Sequence, residues 1–422
     1  MKKKSTLVFC YFFFYCIIAF SQSNSSGYGV YLLTDGKTNV TIAPFGPSPA
    51  LFFSDGRVRG LKQDGNTWLI GKSLGNINET EGKLSLENST IKIDIDGSLT
   101  LTGKRVALQE KKVSFKNGKI TLAGELILPE GNGPFPVIVQ THGSGEETRE
   151  ASRGLAYLFA ANGIASLIYD KRGCGESSGK EWRASFNDYA DDLLAGAAYV
   201  ATLPEINKNK IGLFGHSQGG WVVPLAYSKK PGLISFCIIS AANAISPVEQ
   251  TLYAGDQEFM IKGNDEQAVK EIREFRRIKY VVGILGKGEE EYKNSIVPAA
   301  KQKPWFDLTG DRLPEGIFWK ENGFYNPAPA LQSLKCPVLV LYADNDISTD
   351  SKTNLSLMKQ LIPSTQAEFK LFENANHMMM KVDSKNFTVK QIPLITRMAD
   401  GYIETVIGWL KKNDLNVTIH KN

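Results

Sequence analysis

Gly215-His216-Ser217-Gln218-Gly219 decides the reading of this chain. The pentapeptide fits G-x-S-x-G. It follows the apolar run Ile211-Gly212-Leu213-Phe214 and opens through Gly220-Trp221-Val222 into a helical stretch that reaches about Ser228. A strand, a tight turn bearing serine and a helix, in that order, form an elbow. It lifts the hydroxyl clear of a sheet and sets it near a helix N-terminus. The competing reading, a glycine-rich turn without chemistry, does not explain the strand before it or the helix after it.

Outward from the elbow, strands and helices alternate. Strands are expected at Ile120–Leu128, Val137–Gln140, Ile164–Tyr169 and Leu233–Ser240, with helices at Leu155–Ala161 and from the Ser185 cap to about Thr202. That alternation predicts a mostly parallel sheet wound by helices. It stops after Ala244 and resumes at Pro337-Val338-Leu339-Val340-Leu341-Tyr342. Residues 245–327 therefore read as a mainly helical insertion. Ser246-Pro247 caps its first helix, and Asn264 or Asp265 opens the second. A last helix is expected over Thr396–Lys412. Residues 22–108 read as a separate all-β unit, because short alternating runs are punctuated by Asp-Gly turns. Ile91–Ile95, Asp96-Gly97 and Leu99–Leu101 form the strongest hairpin signal.

A serine hydroxyl needs a base, and there are four histidines to search. His142 and His216 sit in glycine loops, and His420 is three residues from the end. His377, in Asn374-Ala375-Asn376-His377, follows the strand-like Ala367–Phe372 and can approach the elbow from a separate loop. The base in turn needs a carboxylate to hold its tautomer. Tyr342-Ala343-Asp344-Asn345-Asp346 follows a strand and supplies two candidates, Asp346 and Asp344. The oxyanion of a tetrahedral intermediate needs N–H donors. The backbone of Gln218 offers one. Thr141-His142-Gly143-Ser144-Gly145, after the first parallel strand, offers another at Ser144. A phosphate loop is the other use of such glycines, but no Gly-Lys-Ser/Thr follows.

At these residues the chain resembles the secreted two-domain α/β-hydrolase serine esterases, which carry an N-terminal β domain and a helical cap. The resemblance covers about 110–244 and 326–412. It rests on His142-Gly143-Ser144-Gly145, Asp170-Lys171-Arg172-Gly173-Cys174-Gly175-Glu176-Ser177, Gly215–Gly219, Val338–Asp346 and Asn376-His377. It implies an α/β-hydrolase fold, a Ser217…Asp346…His377 triad and a structural role for the Asp170–Ser177 turn. It also favours Asp346 over Asp344, although Ala343-Asp344 departs from the Gly-Glu usual in the family.

Residues 1–21 read as a signal peptide. Lys2, Lys3 and Lys4 precede the 14-residue apolar run Leu7–Phe20, and Ala19-x-Ser21 places the cut before Gln22. The run is shorter than the ~20 residues that span a bilayer. This predicts an exported protein, periplasmic or secreted, without a stable membrane span after cleavage. Apolar residues make up 42% and charged residues 22%, enough for an ordinary core. The formal charge is +5, and the three leader lysines supply most of it, so nucleic acid is not an expected partner. After cleavage three cysteines remain, Cys174, Cys237 and Cys336, an odd set without metal-type spacing.

The expectation is thus a signal peptide at 1–21, a β accessory domain at 22–108 and a hydrolase domain at 109–422 with a cap at 245–327. The expected activity is hydrolysis of short- or medium-chain acyl esters on Ser217, with no metal or organic cofactor implied. A peptidase, acyltransferase or thioesterase on the same triad stays open, as does a non-catalytic module on the same fold. The oligomeric state is not readable.

Overall fold

The computed structural model describes residues 27–180, 184–363, 365–382, 391 and 394–415. The expected signal peptide lies outside the described residues. Two sheets organise the chain. The first is a closed antiparallel barrel of eight strands: β1 (Gly29–Leu33), β2 (Asn39–Phe45), β3 (Ser48–Phe53), β4 (Val58–Asp64), β5 (Thr67–Gly71), β6 (Thr80–Glu87), β7 (Thr90–Ile95) and β8 (Leu99–Arg105). Asp96 and Gly97, at φ 50° and 65°, turn β7 into β8, as the Asp-Gly pair predicts. Closure comes from β1 against β8, with Tyr31 opposite Arg105. Every strand edge is thereby paired.

The second sheet has the order β16-β15-β14-β13-β11-β12-β10-β9. Its strands are β9 (Gln109–Asn117), β10 (Ile120–Leu128), β11 (Phe135–Thr141), β12 (Ala165–Tyr169), β13 (Ile206–His216), β14 (Phe236–Ser240), β15 (Val338–Ala343) and β16 (Ala367–Phe372). Pairings from β12 through β16 are parallel, whereas β9–β10 and β10–β12 are antiparallel. Side chains alternate across it as period 2 requires. Val139, Leu213, Ile239 and Val340 bury on one face with α2 (Phe186–Val200) and α3 (Gly219–Lys229). Ile138, Phe214, Ile238 and Leu341 bury on the other with Phe159 of α1 (Arg153–Ala160). Each such side chain contributes about 1.5–3 kcal/mol by leaving water, so two full layers hold the sheet.

Local signals explain the helix starts. Ser185 and Asp188 form a reciprocal capping box on α2. Ser246 Oγ accepts the Glu249 N–H at the head of α4 (Pro247–Ile261). Asp265 caps α5 (Glu266–Leu285), which Gly286 ends at φ 65°. These two helices, with short helical segments at Val297–Ala300, Phe306–Thr309 and Ile317–Asn322, make up the expected insertion. After α6 (Ser351–Leu361) and β16, the last helix departs from expectation. It begins at Tyr402, not Thr396, as α7 (Tyr402–Lys412). Residues 395–399 are instead extended, because their backbone groups pair with the barrel and with residues 379–381.

The three cysteines Cys174, Cys237 and Cys336 are buried and form no disulfide. Cys237 and Cys336 approach to 3.9 Å between sulfurs.

Candidate active site

The register of the parallel strands brings their carboxyl ends together. Thr141 pairs with Gly215, and His216 pairs with Ser240. The loops that leave these ends therefore surround one crevice. Ser217 stands at its centre with φ 55°, a left-handed conformation that is unfavourable for a residue bearing Cβ and is held by its surroundings. Its N–H donates to Ser240 O, and its carbonyl accepts from Gly220 N, both at 2.9 Å. The elbow has no room for side chains beside it. A Cβ on Gly215 would lie 2.3 Å from Gly219 O, and one on Gly220 would lie 2.1 Å from Ala242 Cβ.

Ser217, His377 and Asp346 come together in one chain of hydrogen bonds. His377 Nε2 is 2.9 Å from Ser217 Oγ, and His377 Nδ1 is 2.7 Å from Asp346 Oδ2. An ionised carboxylate only accepts, so Nδ1 carries the proton and Nε2 accepts from the serine hydroxyl. The second carboxylate oxygen of Asp346 accepts the N–H groups of Ser348 and Thr349 at 2.8 Å each. Asp346 and His377 are both buried, which strengthens these contacts by lowering the local dielectric. Asp344 lies elsewhere. It is exposed, and its carboxylate accepts the Ala375 N–H at 3.2 Å. It fastens the loop that carries the histidine, whereas Asp346 bonds the ring.

His377 sits at the tip of a tight loop. Asn376 Oδ1 accepts from Met378 N and Met380 N, and Asn376 N donates to Met380 O. His216 packs beside it, with ring centroids 4.9 Å apart. Burial, then the neighbouring His377, push the His216 pKa down to about 3. His142 is also buried, and its pKa is likewise about 3, chiefly from burial and then from Lys171. Its Nε2–H donates to Tyr169 O. Both rings are therefore neutral at ordinary pH, and neither bonds to Ser217.

The loop expected to supply the second oxyanion donor holds a group that the sequence reading passed over. Lys171, fully buried, sends its ammonium to Gly143 O (3.1 Å), Gly145 O (2.8 Å) and Gln218 Oε1 (3.0 Å). It also lies over the Tyr189 ring, 4.6 Å from its centroid. Glu147 accepts the Gly143 N–H at 2.8 Å, and burial raises its pKa. Lys171 thus ties the segment containing Ser144 to Gln218, the residue that follows Ser217. The one available signal was its position, a lysine directly after the buried strand end Tyr169-Asp170. The rest of the Asp170–Ser177 turn is a scaffold. Asp170 accepts from Arg149, and Arg172 pairs with Asp188 and Asp192.

The cap aromatics divide between two packing jobs. Trp305 and Phe306 pack on Phe275 inside the cap. Phe318 and Tyr325 pack edge-on against Phe186 of α2. Trp319 lies against Tyr280, and Phe324 is exposed. The cap also reaches the Asp346 loop, since Tyr253 OH donates to Asp346 O and Gln250 Nε2 to Ser348 O.

A mostly parallel sheet with the elbow Ser217 after β13, Asp346 after β15 and His377 after β16, in that chain order, identifies the architecture. This is the α/β-hydrolase fold. Residues 133–262 match the family described as serine aminopeptidase, S33. The chain is 23% identical over 311 residues to esterase EstD of Thermotoga maritima, spanning 71% of this chain and 68% of that one. It is 24% identical over 265 residues to an uncharacterized 31.7 kDa protein of Escherichia coli, spanning 59% and 85%. A solved Pyrococcus furiosus esterase covers 72% of this chain and 91% of its own, at 16% identity and a TM-score of 0.45. By sequence this α/β-hydrolase groups with hydrolases. Among its described residues no three His, Cys, Asp or Glu side chains are grouped to hold a metal ion, and no helix is long and apolar enough to cross a membrane.

Proposed function

We propose that this α/β-hydrolase is an exported serine carboxylesterase acting on short- or medium-chain acyl esters. The observation that carries the reading is the continuous hydrogen-bond chain from Ser217 Oγ through His377 to Asp346. In the proposed mechanism Ser217 Oγ attacks the ester carbonyl while His377 Nε2 takes its proton. Asp346 stabilises the imidazolium that forms. The N–H groups of Gln218 and Ser144 receive the oxyanion. His377 then protonates the departing alcohol, and a water activated by the same nitrogen hydrolyses the acyl-enzyme.

The relative named as an esterase supports ester over amide substrates. The family description favours a second reading, an aminopeptidase on the same residues. Rates on p-nitrophenyl acyl esters of increasing length, set against aminoacyl p-nitroanilides, separate the two. Ser217→Ala should remove about four to six orders of magnitude of turnover, as loss of a triad serine typically does. A Ser217→Ala protein with full esterase activity would sink the mechanism. The cap is proposed to overhang the crevice and limit acyl length. In the native host, cleavage is proposed to leave Gln22 as the first residue, which mass spectrometry of the exported protein reads directly.

A further inference from the structure

One rim of the barrel, formed by the turn into β4 and the loop after β5, is bonded to the extended segment 395–399 beside the loop that carries the proposed base. Val58 N donates to Thr396 O (2.8 Å), Leu74 N to Ile395 O (2.7 Å) and Met398 N to Gly56 O (2.8 Å). Arg57 and Arg397 form an antiparallel bridge. Two guanidinium groups add to it, Arg59 on Thr396 O at 3.0 Å and Arg397 on Asp55 O at 2.8 Å. The opposite edge of residues 395–399 holds the histidine loop. Lys381 N donates to Arg397 O (2.9 Å), Ala399 N donates to Met379 O (2.8 Å), and Met380 bridges Met398. Met380 in turn closes the turn of Asn376 around His377. Side chains follow the same path. Ala50, Val58 and Leu74 of the barrel bury against Met380, Val382 and Ile395.

The barrel itself is firmly seated. Its core is continuous with Ala156, Tyr157 and Ala160 of α1 and with Ile127 and Ile168 of the second sheet. It can therefore transmit a fixed position to whatever it bonds.

We propose that the barrel is a positioning element for the general base, and that Leu74 and Ile395 are its positioning residues. This rests on the reading of His377 as the base. Residues 395–399 act as a shared strand between barrel and loop, so that the Ser217–His377 distance depends on a unit remote in sequence. A displacement of about 1 Å at a reacting group can cost about a hundredfold in rate. Loosening the seam should therefore lower kcat and leave KM, which reports the crevice and cap, nearly unchanged.

The test uses the full chain with Leu74→Asp, which puts a charge into the apolar seam from outside any barrel strand. Hydrogen exchange followed by mass spectrometry is read over 374–382 and over 29–53, together with kcat and KM on p-nitrophenyl acetate. The expected result is exchange at least about tenfold faster over 374–382 with 29–53 unchanged, since local openings are separable from global ones. A fall in kcat of about ten- to a hundredfold accompanies it, with KM within about twofold. Leu74→Met should restore both. If Leu74→Asp unfolds the barrel, Ile395→Ala is judged by the same criteria. Unchanged exchange over 374–382 overturns the proposal, and so does faster exchange with wild-type kcat. Faster loop exchange in a protein whose wild type hydrolyses no ester supports the brace and removes the esterase reading instead.

Discussion

Replacing Lys171 by methionine keeps the shape of the side chain and deletes its charge. Two carbonyls and one side-chain amide oxygen then lose their donor. The C=O of one residue and the N–H of the next point in opposite directions across a planar trans peptide. Lys171, by fixing Gly143 O, therefore fixes the direction of the Ser144 N–H, one of the two proposed oxyanion donors. The same ammonium holds the side chain of Gln218, whose own N–H is the other. Removing a single oxyanion donor costs about 10²–10³ in kcat. Lys171→Met loosens the donors without deleting one, so the lower end applies, about a hundredfold or ~2.7 kcal/mol. Stability should move less. Each charge-assisted hydrogen bond lost costs about 1.5–3 kcal/mol, but the several kcal/mol spent on desolvating a buried ammonium are recovered. The assay is kcat and KM on p-nitrophenyl acetate, with a thermal melt alongside. A kcat within about threefold of wild type, in a folded protein, would refute the reasoning, because one intact donor pair without Lys171 leaves the lysine no part in the transition state.

Other substitutions probe the remaining groups. Asp346→Asn offers His377 Nδ1 a donor where it had an acceptor, which favours the wrong tautomer and should lower kcat by about 10⁴; Asp344→Asn, at the residue whose carboxylate accepts the Ala375 N–H, should cost less than about tenfold. Steady-state kinetics of the pair decide it, and a larger loss for Asp344→Asn reverses the assignment. His142 sets an acid limit on stability. Its folded pKa is held down to about 3 while an unfolded histidine titrates at the ordinary value of 6.5, so between these values the unfolded chain binds the extra proton and stability falls as pH falls. The loss is about 1.4 kcal/mol per pH unit below that upper value. Burial of Glu147 acts in the opposite sense, since its raised pKa lowers stability as pH rises through the folded value. Denaturant titrations should show His142→Asn with a shallower decline on acidification than wild type, and an identical slope would contradict the assignment. Gly220→Ala places a methyl 2.1 Å from Ala242 Cβ and should cost at least about 1–3 kcal/mol by overpacking. Chemical denaturation with an unchanged midpoint would show that the elbow can yield.

The parts that were readable in the sequence are those whose causes are local. The elbow needs five residues between a strand and a helix, and all of its constraints lie within them. The caps at Ser185, Ser246 and Asp265 are equally local, and each stands at the helix start that its side chain satisfies. The pairing of Ser217 with His377 crosses 160 residues, yet it was accessible because the chain holds few histidines and chain order constrains the choice. Lys171 was missed for the opposite reason. Its partners stand 28, 26 and 47 residues away, and lysines are too common for a search. Barrel closure through β1 and β8 left no periodic mark beyond its hairpins. The start of the last helix was misplaced because Arg397, Met398 and Ala399 are good helix formers, while the Thr396 carbonyl is claimed by Val58 and Arg59 more than 330 residues earlier. Tertiary pairing overrode the local preference.

The three loops that carry the hydrogen-bond chain are each fixed by a different part of the molecule. The end of β14 and the head of α3 hold Ser217, through the Ser240 carbonyl and the Gly220 N–H. The Asp346 loop is tied to the cap by Tyr253 and Gln250. The His377 loop is tied to the barrel through residues 395–399. Contacts at separate loops perturb separate groups, so cap and barrel substitutions should combine nearly additively as long as each leaves the other loop in place. They cannot remain additive once both loops move, because the Asp346–His377 bond requires the two to be in register at once. Departure from additivity in paired cap and barrel variants therefore measures how far Asp346 and His377 are held as a unit by the cap and the barrel together.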